Sequence, residues 1–237
     1  MTSFLALVGA DCERMGGGAL AQPVNAWSSL AFLVAGAWIV SRSRRHTDRR
    51  VELVVLGAAV ASNALGGLLF HGGPGATERW VHDLSILSVL LFIVTFDVAR
   101  LRGHGPAWTL RGFLGSLAAL GGLMAIAPDV TYGFYGVLGV AAGGFELLEY
   151  RHELPRIRAE GLSARRLARL GVLVVLGLAA TAFFVGRTGG PLCHPESAFQ
   201  WHALWHVLAA IAMGLYAFAA VEPEWGVAGG GTLSRAV

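Results

Sequence analysis

The chain has 237 residues, of which 55% are hydrophobic and only 14% charged, and its mean hydropathy is +0.60. A soluble domain carries about 25% charged residues, so a disordered, collagen-like or nucleic-acid-binding chain is excluded. All 18 basic residues are arginine. Without lysine there is no retinal or pyridoxal Schiff base, no P-loop lysine and no Ser-Lys dyad.

In chain order, segment 4–10 is apolar but too short to span a bilayer. No basic residue precedes it, so it is not read as a cleaved signal peptide. Apolar runs of spanning length follow at 25–41, 51–71, 80–99, 112–128, 130–149, 170–186 and 199–221. A hydrocarbon core needs about 20 residues of helix. The sequence therefore predicts an all-α, polytopic bundle of seven transmembrane helices. It forms one domain over 1–221, with a Gly-rich cytoplasmic tail at 222–237. Run 112–128 is the shortest and holds Gly121, Gly122 and Pro128. Glycines inside the runs (Gly57, Gly66, Gly67, Gly136, Gly139, Gly143, Gly144, Gly177) are read as close helix packing.

The arginines orient the bundle. Arg42, Arg44, Arg45, Arg49 and Arg50 follow the first run, Arg100, Arg102 and Arg111 the third, and Arg151, Arg156, Arg158, Arg165, Arg166 and Arg169 the fifth. With Arg235, fifteen of the eighteen fall on one side, against Arg14, Arg79 and Arg187 on the other. By the positive-inside rule the N-terminus is outside and the C-terminus cytoplasmic. The high pI thus reflects topology, not a nucleic-acid partner. Short loops and exclusive arginine usage point to a bacterial inner membrane.

Ionisable residues inside a span are functional candidates by default. His71 ends the second run, Asp83 opens the third, and His202 and His206 open the seventh; the topology puts all four at the outer end. His202 and His206 stand i, i+4 on one helical face and can share a metal ion. With His71 they make three protein ligands, the number typical of catalytic zinc. Asp83 would then be a carboxylate able to take a proton from water and hand it to a leaving group. A haem held by paired histidines fits less well, because its axial ligands come from opposing helices.

The other polar residues read as structural. His82 points about 100° away from Asp83 on a helix and is assigned to the interface. His46, His104 and His152 are assigned to cytoplasmic solvent. Asp97, Glu146 and Glu149 are read as inner-face ion pairs, and Asn63 as an interhelical hydrogen bond. Trp27, Trp80 and Trp201 are read as an aromatic belt, and Trp205 as a possible wall of the histidine site. Cys12 and Cys193 both fall outside, where oxidation is permitted, so a disulfide between them is expected.

The stretches GGLLFH (66–71), WVHD (80–83) and HALWH (202–206), with DCE (11–13) and QPVNAWSSLAFL (22–33), resemble the alkaline ceramidase family. That family lies within the CREST superfamily of seven-helix membrane hydrolases, and the resemblance runs from about residue 11 to 210. It implies zinc on His71, His202 and His206, water activated near Asp83, and hydrolysis of the amide of ceramide or a related N-acyl lipid to release a fatty acid. It also implies the Cys12–Cys193 disulfide.

Two positions depart from the family. Gly67 stands where the family has a Ser one turn before the first zinc histidine; a lost transition-state donor costs about 2.7–4 kcal/mol. Of the acidic N-terminal calcium ligands, Glu13 matches and Asp11 lies near, whereas Met15 and Gln22 replace others. A lipid-binding or receptor-like protein with a structural zinc is the alternative to an enzyme. The head group and the oligomeric state are not legible.

Overall fold

The computed structural model describes residues 11–73 and 75–221; segment 4–10 and the tail at 222–237 lie outside them. Eight α-helices carry the fold: α1 Pro23–Ser28, α2 Leu30–Arg42, α3 Arg50–Gly72, α4 Ala76–Leu101, α5 Pro106–Ile126, α6 Thr131–Glu160, α7 Ala164–Gly186 and α8 Trp201–Tyr216, the last continued by a π-helical stretch over Ala217–Val221. No strand occurs among the described residues. The Cys12–Cys193 disulfide is formed.

Among the described residues six helical segments are long and apolar enough to cross a membrane: Pro23–Arg45, Thr47–Gly72, Ala76–Leu101, Pro106–Ile126, Ala164–Gly186 and Trp201–Val221. They correspond to six of the seven predicted spans, including the short run 112–128. The exception is run 130–149, which lies in α6. That helix has 30 residues, ample length at 1.5 Å per residue. Its first half, however, is diluted by Tyr132, Tyr135 and five glycines, and Glu146 and Glu149 follow. Length and composition alone therefore establish six candidate spans, not seven.

Helix α1 leads straight into α2, and from α2 onward successive helices run antiparallel. Helices α2, α3 and α4 pack in sequence, α6 packs on α4 and α7, and α8 packs on α7 and back on α2; α5 lies against α4 and α3. The core is aliphatic and aromatic, with Ile39, Leu53, Leu56, Leu87, Phe92 and Phe96 all but inaccessible. Val34, Val137, Val174 and Leu178 are exposed, as a bilayer requires of its protein solute. Asn63 Nδ2 donates across α3–α4 to the Ser85 carbonyl at 3.1 Å, the interhelical bond expected of it.

The end bearing the arginine clusters 42–50, 100–111 and 151–169 carries ion pairs. Arg100 meets Asp97 at 3.2 Å and Glu149 at 3.1 Å, and Arg169 meets Glu149 at 3.1 Å. Glu149 thus pairs with arginines from two other helices. Glu146 is buried with neither carboxylate oxygen hydrogen-bonded, contrary to its reading as an ion pair. His46 is buried, contrary to its reading as solvated; His104 is exposed, as expected, with its ring stacked on Trp108.

Candidate metal centre

His71 lies in the last turn of α3, and His202 and His206 in the first two turns of α8. Antiparallel packing brings these ends together. The ring centroids are 5.2 Å apart for His71–His202, 5.3 Å for His71–His206 and 4.6 Å for His202–His206. All three side chains are buried, and one ring nitrogen from each lies within 4.8 Å of the others.

The Nδ1 partners decide which nitrogen is free. Gln22 Nε2 donates to the carbonyls of Asp11 (3.1 Å) and Glu13 (2.8 Å). Its Oε1 is thereby turned to accept from His71 Nδ1 at 2.9 Å. Ser28 Oγ lies 2.9 Å from the Asn25 carbonyl and shares a 2.7 Å hydrogen bond with His206 Nδ1. His202 Nδ1 faces Asp11 Oδ1 at 3.3 Å. For His71 and His206 the oxygen beside Nδ1 leaves Nε2 to face a metal; neither ring nitrogen of His202 is hydrogen-bonded, so either can face it.

His71 Nε2 and His202 Nε2 are buried with no hydrogen-bond partner. Orphaned buried polar atoms cost about 1–3 kcal/mol each and call for an explanation. A metal ion supplies one. Three neutral imidazoles are the donor set of a catalytic zinc, and the outer oxygens are the usual supports of such ligands. The residues fit zinc.

Asp83 lies near the start of α4. Its Oδ1 accepts from Tyr135 Oη at 2.9 Å and from His82 Nδ1 at 2.9 Å. His82, assigned to the interface from the sequence, also packs against the histidine site. It is half-buried, stacks on Phe70 at 4.7 Å and lies 5.9 Å from the His71 ring. The 100° step from Asp83 turns it toward α3 and not away from the protein. Gly66 permits this approach, since a Cβ there would meet His82 Cα at 2.9 Å.

Asp83 and His202 line one cavity of about 790 Å³, together with Asp11, Tyr135 and Trp205. Its remaining walls come largely from α6 and α7. Gly136 and Gly139 face this cavity with nothing near the position of a Cβ. They provide space, not the close packing expected of them. Trp205 is a wall, with its ring 5.1 Å from His202 and 5.0 Å from His206.

The N-terminal acids have specific uses here. Both Glu13 oxygens accept from backbone N–H groups at the start of α1, Val24 and Asn25, at 2.8 Å each. The Asp11 carboxylate faces His202 and His71. Burial raises its pKa above the ordinary carboxylate value, opposed by His71, His82 and Arg79. The calcium expectation gains no support from this placement.

Gly67 has a concrete reason. A Cβ at this position would run into Ser29 Oγ, and Ser29 is fully buried. A hydroxyl from α2's N-terminus therefore fills the place a side chain at 67 would take. Gly67→Ser is expected to destabilise the fold by about 1–3 kcal/mol through overpacking. The pair Gly67→Ser, Ser29→Gly is expected to recover most of that loss, read by thermal unfolding in detergent. An equally destabilised double variant would contradict the exchange.

No protein-family model, curated protein or solved structure matches the chain.

Proposed function

We propose that the chain is a zinc-dependent hydrolase working inside the bacterial inner membrane on the amide bond of ceramide or a related N-acyl lipid. Support comes first from three buried histidines, one ring nitrogen of each within 4.8 Å of the others, beside a lipid-sized cavity. The resemblance of 66–71, 80–83 and 202–206 to alkaline ceramidases points the same way. In this reading α6 is a seventh span, the N-terminus is outside and the C-terminus is cytoplasmic.

His71, His202 and His206 would hold the zinc. When bound, it supplies Lewis acidity and activates water near neutral pH. The remaining steps fall to side chains. The apolar cavity orients the acyl chain and excludes bulk water. Asp83 is the proton acceptor, its carboxylate held by Tyr135 and His82 through Oδ1. Water adds its oxygen to the acyl carbon, the C–N bond breaks, and the proton held at Asp83 passes to the departing amine. The products are a fatty acid and an amine.

Asp83→Asn tests this directly. Proton transfer by a positioned base is worth about 10²–10⁴ in rate, so amide cleavage followed by mass spectrometry should fall by that factor while zinc content is retained. Unchanged hydrolysis would remove Asp83 from the mechanism. The absence of a side-chain hydroxyl at Gly67 favours a second reading, a lipid-binding protein with a structural zinc. Zinc-loaded protein that binds N-acyl lipids and cleaves none would establish it.

A further inference from the structure

Two arginines at the histidine end form no ion pair with a carboxylate among the described residues. Arginine is scarce there: Arg14, Arg79 and Arg187 are the three in the described chain, and Arg14 pairs with Glu196 at 3.0 Å. Among the described residues Arg79 and Arg187 have no carboxylate within ion-pair distance. They come from different elements, Arg79 from the first turn of α4 and Arg187 from the residue capping α7. Both nevertheless line the cavity that holds His202 and Asp83. Each guanidinium lies over an aromatic ring of that same cavity, Arg79 at 5.8 Å from Phe70 and Arg187 at 5.7 Å from Phe184.

Helix electrostatics do not account for the pair. A cation suits the C-terminus of α7 but is unfavourable near the N-terminus of α4. The two acids on the cavity are already engaged, Asp11 with His202 and His71 and Asp83 with His82 and Tyr135. Below the arginines the lining is apolar, with Gly136, Gly139, Val140 and Ala180. The site thus pairs guanidinium forks, which match carboxylate and phosphate oxygens two at a time, with room for a hydrocarbon chain.

We propose that Arg79 and Arg187 bind the anionic group of an amphiphile whose chain occupies this cavity. The proposal rests on reading the cavity as the lipid site of the hydrolase. The anion has two possible sources: a phosphate or carboxylate on the head of the intact N-acyl lipid, or the carboxylate of the released fatty acid.

Equilibrium binding to protein in neutral detergent separates them. The probes are a radiolabelled N-acyl amino alcohol against its phosphate monoester, and palmitic acid against palmityl alcohol. An Asp83→Asn background keeps the amides intact. The anionic member of at least one pair should bind about tenfold more tightly, and the preference should fall toward unity in R79Q/R187Q. Preference confined to the phosphate ester identifies the substrate head; preference confined to palmitate identifies the product. Equal affinities within both pairs, or a preference that survives in R79Q/R187Q, overturn the proposal. A charge preference in a protein that cleaves no amide would retain the anion site and refute the hydrolase reading. Cleavage without charge preference would do the reverse.

Discussion

Purified wild-type protein is expected to carry about one zinc ion per chain, and His202→Ala and His206→Ala to carry almost none. Zinc bound by small peptides contributes about 10–16 kcal/mol, or roughly 3–4 kcal/mol per ligand, so one lost imidazole weakens binding by about 10²–10³-fold. Hydrolysis should disappear with the metal. A graded variant keeps the test sharp if an alanine variant unfolds. Gln22→Leu retains all three imidazoles but removes the acceptor beside His71 Nδ1. Loss of such an outer partner weakens metal binding by about 10–100-fold. His152→Ala, at the far end of α6 and exposed, should change neither quantity. Metal analysis and chelator competition read the wild type and all four variants. Metal-free wild type, or zinc retained in His202→Ala and His206→Ala, would remove the centre.

The parts of this centre that the sequence disclosed are those encoded locally. Spacing i, i+4 places His202 and His206 on one face, and charge asymmetry between loops puts His71 at the same end as both. Neither inference needs a tertiary contact. The Nδ1 partners are different. Ser28 lies 178 residues from His206 and Gln22 lies 49 from His71, and no local pattern marks either as a support. Gln22 was noticed only as a poor substitute for a calcium ligand. Glu13 has no capping signature, because it caps α1 from ten residues upstream of Pro23 instead of from the N-cap position.

A related limit applies to His82. An angular step on a helical wheel says how far two side chains diverge, not which neighbour each one meets. The absence of a side chain at Gly66 decides that, by letting α4 come close to α3. The same limit explains α6. Its glycines suggest packing when read as small residues, yet two of them line a cavity, and together with Tyr132, Tyr135 and the glutamates they lower its hydropathy below that of the other spans. Glu146 illustrates the converse. Its sequence neighbour Arg151 suggested a partner, but no ion pair forms between them among the described residues, and Arg100 and Arg169 pair with Asp97, Glu149 and Glu153.

Reducing the Cys12–Cys193 disulfide is expected to lower stability by as much as about 5 kcal/mol on the chain-entropy estimate, because the bond closes a loop spanning 181 residues. Helices confined to a membrane already restrict the unfolded chain, so the measured loss should fall below that figure. The bond also has a local consequence. It holds the segment bearing Asp11, which faces His202 and His71. The other ties of the segment to the loop before α8 are weak by comparison: the Arg14–Glu196 pair is largely exposed and worth about 0–1 kcal/mol, and one backbone bond joins Arg14 N to the Pro195 carbonyl at 3.1 Å. Farther along, Ala21 N and Gln22 N donate to the Gly72 and His71 carbonyls, so Gln22 stays in place when the sulfurs part. Cys12→Ser should therefore leave Gln22 in place and loosen Asp11 only in part, since its carbonyl still accepts from Gln22 Nε2 at 3.1 Å and Asn25 Nδ2 at 3.3 Å. Zinc affinity should drop by about tenfold, the low end for loss of an outer-shell support, and less than in Gln22→Leu. Thermal unfolding with and without reductant, paired with chelator competition, separates the two effects. Wild type under reductant should match Cys12→Ser in both. A lower melting temperature with unchanged zinc affinity would show that the disulfide staples the chain without positioning Asp11 against the centre.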